Sequence, residues 1–209
     1  MAELDLNNVD AMYYDVLREI GNIGAGNAAT ALATMLNTKV DMTVPKVALV
    51  EFSEMGETMG GEEQIMAGIY LSISGDITGS IMFLLEERSA HELVAKLMGS
   101  SGSDFVEGQP FSEIEQSALS EIGNIIVGSY LNSLSMLTNL KIIESVPSLA
   151  VDMAEALLSV PAIEFGMVGD QMLLIQTSFS EDTELNGYFV LVPDLPSYGK
   201  LLRALGVMQ

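Results

Sequence analysis

The five-residue sequence EIGNI occurs twice in this chain of 209 residues, at residues 19–23 and again at residues 121–125. The second copy follows the first by 102 residues (121 − 19 = 102). Repeats that build solenoids have periods of about 20–50 residues, so this longer spacing is typical of a duplicated half-domain. We therefore expect one domain over residues 1–209, with repeat halves at 10–100 and 112–209.

The similarity extends beyond the pentapeptide. The same offset relates Asp15 to Ser117 and Pro45 to Pro147. Each half therefore carries a small polar residue, a Glu four positions later, an Asn three after that, and a Pro 23 positions after the Asn. The first trio is defined as Asp15, Glu19 and Asn22, and the second trio as Ser117, Glu121 and Asn124.

The composition excludes several classes of function. Twenty-nine acidic against eight basic residues give a formal charge of −21, which disfavours nucleic acid and anionic lipid as partners. With no cysteine there is no disulfide and no thiolate metal site. No run of about 18 apolar residues predicts a transmembrane helix, and the acidic N-terminus does not resemble a signal peptide. We expect a cytoplasmic protein.

Two long amphipathic helices carry the trios. The first runs from about residue 10 to Leu36, with Asn37 as its stop, and its N-cap candidates are Asn7, Asn8 and Asp10. Its predicted inner face comprises Tyr13, Leu17, Ile20, Gly24, Ala28 and Met35. The second helix starts from a Ser-x-x-Glu capping box at Ser112 and Glu115 and runs to about Thr138. Its predicted inner face comprises Leu119, Ile122, Ile126, Tyr130 and Leu137.

Strands follow each long helix. In the first half, an extended segment with a bulge or edge at Pro45 precedes a hairpin, residues 69–73 and 79–85, and a helix over 89–98. In the second half, strands at 141–150, 171–179 and 188–192 precede a helix at 201–206. The pattern predicts an α+β (loosely α/β) fold. It contains duplicated helix–three strands–helix units, related by a pseudo-twofold axis around a shared, largely antiparallel sheet.

Residues at i, i+4 and i+7 lie on one face of a helix, so the members of each trio point the same way. An unpaired buried charge is costly, which places both trios on the surface. The alternative is that they are ordinary polar residues of an amphipathic helix, but two copies at identical spacing make this the weaker interpretation. Gly21 and Gly123 follow the two Glu residues and are explained equally well by close packing or by the approach of a partner's backbone.

Familiar hydrolytic sites do not fit. His91 is the single histidine, so no set of nucleophile, histidine and acid is available, and we expect it to be structural. Residues 24–27 (GAGN) lack the lysine of a phosphate-binding loop and lie inside a helix. A metal-dependent enzyme remains a weak alternative because nothing sets its acidic residues at ligand spacing: Glu19, Glu121, Glu51, Glu54, Glu57, Glu62 and Glu63. We therefore expect no metal site.

The motif Asp/Ser-x-x-x-Glu-x-x-Asn, followed after 22 residues by Pro, resembles the signature of the CheC-type chemotaxis phosphatases. The resemblance implies hydrolysis of the aspartyl phosphate of the response regulator CheY. It implies that Asn22 and Asn124 align the attacking water and that Glu19 and Glu121 pair with a lysine of the regulator. Supporting roles fall to Asp15, Ser117, Pro45 and Pro147. The regulator would supply Mg²⁺, and this chain would need no cofactor of its own.

The resemblance also implies a second partner, the deamidase CheD. Residues 151–158 predict a short acidic amphipathic helix, and its candidate contacts are Asp152, Glu155 and Leu158. An ordinary connecting helix explains the same pattern. A different class of function, a non-catalytic flagellar-switch adaptor that binds phosphorylated CheY or CheD, is the alternative to the enzyme, but it gives the Glu–Asn pairs no purpose.

Overall fold

The computed structural model describes residues 11–37, 39–61, 63–99, 105–164, 171–180 and 184–206. The first half contains, in order, α1 (Ala11–Leu36), β1 (Asp41–Glu51), α2 (Phe52–Thr58), β2 (Ile65–Gly75), β3 (Gly79–Glu86) and α3 (Glu87–Leu97). The second half contains α4 (Glu113–Thr138), β4 (Ile142–Glu144), β5 (Ser148–Met153), α5 (Ala154–Glu164), β6 (Gln171–Ser180), β7 (Glu184–Pro193) and α6 (Leu195–Ala204).

All the strands form one antiparallel sheet in the order β1-β6-β7-β3-β2, with β4 and β5 both paired to β2. The order is symmetric about the β7–β3 pair. Each half contributes a hairpin next to this centre, and the first strand of each half pairs with the hairpin of the other half. The predicted α+β architecture around a shared antiparallel sheet is therefore confirmed, and neither half completes the sheet alone.

Helices cover both faces of the sheet. On one face α1, α4, α3 and α6 build the larger core, which includes Leu17, Leu32, Ile69, Phe83, Ile126 and Phe189. On the other face the short helices α2 and α5 build a smaller, Met-rich core around Met55, Met59, Met66, Leu157 and Val190. Residues 79–85 of the central strand β3 are all buried, because side chains on both faces of that strand are covered.

The ends of the long helices follow the predicted chemistry. Asn37, just after α1, has φ 52°, and Asn139, just after α4, has φ 55°, the left-handed conformation that ends many helices. At the start of α4 the backbone N–H of Ser112 donates to Glu115 Oε2 over 2.8 Å. The predicted capping box is complete, and this bond lowers the pKa of the Glu115 carboxyl. The N-cap candidates of α1 lie outside the described residues.

The two long helices pack directly against each other. A Cβ placed on Gly24 would lie 2.9 Å from the Cα of Tyr130, and Asn27 Nδ2 donates to Ser133 Oγ over 3.2 Å. The inner faces are as predicted, with two qualifications. The side chain of Tyr13 lies outside the described set, and Leu137 is 50% exposed. The prediction for Leu137 was wrong because the inward stripe near the end of α4 runs through Leu134 and Thr138, four residues apart.

Several predicted boundaries differ from the structure, and the helix expected over 201–206 already begins at Leu195. The strand expected over 141–150 is divided into β4 and β5, with residues 145–147 between them. The helix expected over 151–158 begins only at Ala154, because residues 151–153 pair with β2. Each half also holds a short helix, α2 or α5, between its first strand and its hairpin, so the predicted unit of helix, three strands and helix gains one element.

Two glycines of α1 offer a matched test of this packing. Nothing lies within 4 Å of a Cβ on Gly26, so Gly26→Ala should raise the free energy of unfolding by about 0.5–1 kcal/mol through helix propensity. Gly24→Ala gains the same propensity but drives a methyl group into the backbone of α4, and should be net destabilising by about 1–3 kcal/mol. Urea unfolding followed by circular dichroism measures both, and equal effects would contradict the α1–α4 contact.

Candidate functional site

The side chains of the first trio are all exposed on the outer face of α1. Arg18 Nη2 makes an ion pair with Asp15 Oδ1 at 2.8 Å, one turn along the helix. Arg18 was not among the predicted site residues, although the i, i+3 spacing of Asp15 and Arg18 is a recognised signal for such a pair. This surface ion pair partly neutralises the charge of Asp15. The Glu19 carboxylate, by contrast, makes no ion pair with any described residue.

On α4, Ser117 and Glu121 are exposed and Asn124 is half-buried. Ser120 occupies the place that corresponds to Arg18, so this helix has no arginine beside the trio. Within the described part of the chain the Asn124 side chain makes no hydrogen bond. The two trios lie on separate helices over the same face of the sheet, and each Glu–Asn pair forms a surface site of its own.

The glycines that follow the two Glu residues are buried. A Cβ on Gly21 would lie 3.2 Å from the side chain of Val44 in β1, and a Cβ on Gly123 would lie 2.8 Å from the side chain of Ile69 in β2. Both helices therefore approach the protein's own sheet here. Of the two interpretations left open by the sequence, close packing is the one observed.

A β-bulge in β1 holds the carboxamide of Asn22. The pairing of β1 with β6 shifts register between Thr43 and Lys46, which leaves Val44 and Pro45 outside the ladder. The backbone N–H of Val44 donates instead to Asn22 Oδ1 over 3.0 Å. Pro45 has no N–H to pair, as expected at a bulge. The spacing from Asn22 to Pro45 thus reflects a direct contact between the helix and the bulged strand.

The corresponding bulge in the second half is built differently. Glu144 pairs with Ile73 and Ser148 with Tyr70, so one extra residue lies between β4 and β5, in the segment that contains Pro147. Ser145 Oγ accepts from the Ser72 N–H, and the Ser145 N–H donates to the Ser72 carbonyl, each over 3.0 Å. Ser145 therefore bonds to the neighbouring strand itself, and Asn124 takes no part.

His91 is buried, stacks on Phe111 with ring centroids 3.8 Å apart, and places Nε2 3.2 Å from the Gln109 carbonyl, so its structural role is confirmed. Residues 24–27 lie inside α1. Among the described residues no three acidic or histidine side chains gather in a way that could hold a metal ion. No helix in the same part of the chain is both long and apolar enough to span a membrane.

The predicted second contact surface needs a correction. Asp152 is exposed on β5 and Glu155 is exposed on α5, but Leu158 is 1% exposed and belongs to the smaller core. The helix α5 packs on the sheet through Leu157 and Leu158, so Leu158 faces the smaller core. The exposed apolar residues of α5 are Val160 and Ile163, whose exposed fractions are 47% and 79%. This surface lies on the opposite face of the sheet from both trios.

Known proteins are similar to this chain over nearly its whole length. A model of the CheC-like family matches residues 12–49 and 114–151, which contain both trios and both prolines. The CheY-P phosphatase CheC of Bacillus subtilis (strain 168) is 38% identical over 203 residues, which cover 96% of this chain and 97% of that protein. The flagellar motor switch phosphatase FliY of the same organism is 30% identical over 143 residues, 68% of this chain and 36% of FliY.

A solved structure shows the same fold. The crystal structure of Thermotoga maritima FliY superposes with a TM-score of 0.76 and covers 97% of this chain and 100% of that one, at 22% identity. Similarity at this identity concerns the architecture alone. The two segments matched by the family model include nearly all of α1 and α4, the helices that carry the Glu–Asn pairs.

The two Asn residues should differ in their effect on stability. Asn22→Ala leaves the Val44 N–H without its acceptor and should lower the free energy of unfolding by about 1–2 kcal/mol. Asn124→Ala removes a side chain that has no hydrogen bond in the described part of the chain, and should change it by less than about 0.5 kcal/mol. Chemical denaturation of both variants measures the difference. Equal losses would contradict the tether between Asn22 and the bulge.

Proposed function

This chain belongs to the CheC-like family, and we propose that it hydrolyses the aspartyl phosphate of the phosphorylated response regulator CheY. The observation that carries the proposal is the presence of two exposed Glu–Asn pairs, on α1 and α4, within the two segments that the family model matches. The Bacillus subtilis relative that is 38% identical to this chain is named a CheY-P phosphatase, which supports the same reaction.

Phosphoryl transfer requires positioning and charge stabilisation more than covalent chemistry from the protein, so two side chains suffice to complete a site. In this proposal the regulator contributes the phosphoaspartate, a Mg²⁺ ion and a lysine. Asn22 and Asn124 each enter a regulator's pocket and orient the attacking water. Glu19 and Glu121 pair with the lysine and set the docking geometry. Asp15 and Ser117 widen the contact face.

The hydrogen bond from Val44 leaves Asn22 suited to orient a water. One lone pair of Oδ1 is engaged, while the second lone pair and both N–H groups of Nδ2 make no hydrogen bond among the described residues. A water can therefore both donate to and accept from this carboxamide. Because the tether restricts rotation of the side chain, less conformational entropy is lost when a regulator docks. Asn124 lacks the tether and has to be ordered by the regulator itself.

The Pro residues act on backbone shape in this proposal. Pro45 follows the residue whose N–H holds Asn22, and Pro147 lies in the corresponding break between β4 and β5. A non-catalytic switch adaptor is the less favoured function, because such a protein would not require two exposed carboxamides beside carboxylates. A cytoplasmic location without nucleic-acid partners is part of the proposal and rests on the charge of −21 and the absence of cysteine.

A second partner, the deamidase CheD, is proposed for the exposed side of α5. This side presents Glu155, Val160 and Ile163, with Asp152 nearby in sequence on β5. An exposed helix with acidic and apolar residues resembles the kind of surface that a receptor-modifying enzyme would bind. Because α5 and the trios lie on opposite faces of the sheet, both partners can bind at once.

The phosphatase activity is tested by the decay of phosphorylated CheY in the presence of Mg²⁺. We expect the wild-type protein to accelerate decay, Asn22→Ala and Asn124→Ala each to reduce the acceleration, and the double variant to show only the regulator's own rate. Asn132→Ala is a matched control, since Asn132 is an exposed asparagine of α4 outside the trio. No acceleration by the wild type, with or without CheD, would favour the non-catalytic adaptor.

The CheD surface is tested by binding measured with calorimetry. Ile163→Asp should weaken CheD binding at least tenfold, because it places a charge at the more exposed of the two apolar residues of this surface. Val106→Asp, which changes another exposed apolar residue in the same way but outside α5, should bind CheD as the wild type does. Neither variant should alter CheY dephosphorylation without CheD. If Ile163→Asp binds CheD normally, this surface is the wrong one.

A further inference from the structure

We propose that Thr177, a buried residue of β6, is a positioning residue for the first Glu–Asn site. The inference rests on the proposed phosphatase function and deepens it. Thr177 has 0% exposure and no contact with solvent, so it acts through other groups. Its hydroxyl determines how the β1 bulge presents the Val44 N–H, and that N–H in turn holds the carboxamide of Asn22.

The connection passes through a single peptide group. Thr177 Oγ1 donates to the carbonyl of Thr43 over 3.1 Å. That carbonyl belongs to the same planar peptide unit as the Val44 N–H, which donates to Asn22 Oδ1 over 3.0 Å. Both ends of the peptide dipole are therefore engaged, one by the sheet and one by the helix. Hydrogen bonds in such a chain polarise and strengthen one another.

On its Val44 side this peptide lies outside the sheet ladder. Val44 and Pro45 are outside the β1–β6 ladder, and Pro45 has no N–H. Without the Thr177 hydroxyl, the Thr43 carbonyl loses the side-chain donor that fixes the plane of the bulged peptide. The Val44 N–H then samples a wider range of directions, and Asn22 loses its fixed orientation on the surface of α1.

The second half supports this assignment by contrast. Gln176 pairs with Lys46 and Tyr70 pairs with Ser148, so Leu71 has the place beside the second bulge that Thr177 has beside the first. Leu71 has no hydroxyl, and Asn124 has no tether in the described structure. Ser145 satisfies the Ser72 N–H and carbonyl instead. The first bulge, which holds the Asn22 side chain, has the buried hydroxyl of Thr177 beside it. The second bulge, which holds no Asn side chain, has the apolar side chain of Leu71 in the same place.

The two sites can be assayed separately, because replacing the Asn of one site leaves only the other site active. Asn124→Ala leaves the first site alone, and Asn22→Ala leaves the second. We expect Thr177→Val to lower kcat for CheY dephosphorylation about tenfold in the Asn124→Ala background with little change in KM, because docking through Glu19 is intact while the water is misoriented. In the Asn22→Ala background the same substitution should leave kcat unchanged. Thr177→Ser, which restores the hydroxyl, should recover kcat in the first background.

A matched control and a direct readout separate positioning from a loss of stability. Thr138→Val removes another buried hydroxyl, which donates to Leu134 at the end of α4, and should leave kcat unchanged in the Asn124→Ala background. Hydrogen exchange of the Val44 amide, measured by NMR in the otherwise wild-type protein, should be at least tenfold faster in Thr177→Val than in Thr138→Val.

The outcomes are distinguishable. If the wild type fails to accelerate decay of phosphorylated CheY, the proposed function is overturned, and the role of Thr177 with it. If the wild type is active but Thr177→Val retains full kcat in the Asn124→Ala background, only the positioning role is overturned. Equal loss of kcat in both backgrounds, or loss that Thr138→Val reproduces, would also overturn it, because it would indicate a general effect on the fold.

Discussion

The rest of the structure depends on the pairing of β3 with β7 at the centre of the sheet. This ladder runs from Gly79 opposite Pro193 to Leu85 opposite Gly187 and joins the hairpins of the two halves. With both hairpins in place, each offers an outer edge to the first strand of the opposite half, and β1 and β5 occupy these edges. The long helices are covalently joined to those first strands. Their position over the sheet, and hence the position of both trios, follows from the central ladder.

The inner and outer faces of the long helices have separate tasks. Inside, Gly21, Gly24 and Gly123 allow α1 and α4 to approach the sheet and each other, so the backbone of each helix is held closely. Outside, the Glu–Asn pairs contribute little to packing and are available for a partner. Asn22 is the exception, because its oxygen also satisfies a backbone N–H that the bulge leaves unpaired. At this residue stability and the proposed chemistry are linked, which is the physical origin of the difference between the two sites.

That difference arises although both sites carry the same Glu-x-x-Asn spacing. The first site has an arginine paired with Asp15, a tethered carboxamide and a buried threonine behind the bulge. The second keeps its Glu but has Ser117 in the place of Asp15, and its asparagine makes no hydrogen bond among the described residues. A pre-oriented side chain reduces the entropy lost on docking, whereas a free one adapts to the regulator. The two sites thus reach the proposed reaction from different starting arrangements.

Several features could be predicted from the sequence alone, because they depend on residues close together in the chain. Helical periodicity placed both trios on the outer face, the Ser112–Glu115 spacing predicted a capping box, Pro45 predicted a strand edge or a bulge, and the lone His91 was correctly expected to be structural. The tertiary structure decided the rest: the exchange of first strands between the halves, the burial of Leu158, the exposure of Leu137, and the hydrogen bonds that connect Thr177, the Thr43–Val44 peptide and Asn22. The strand exchange and these hydrogen bonds depend on the pairing of segments far apart in the chain, such as those of Thr43 and Thr177. Local periodicity carries no information about this pairing, because the register of two strands is set by how side chains fill the two faces of the sheet.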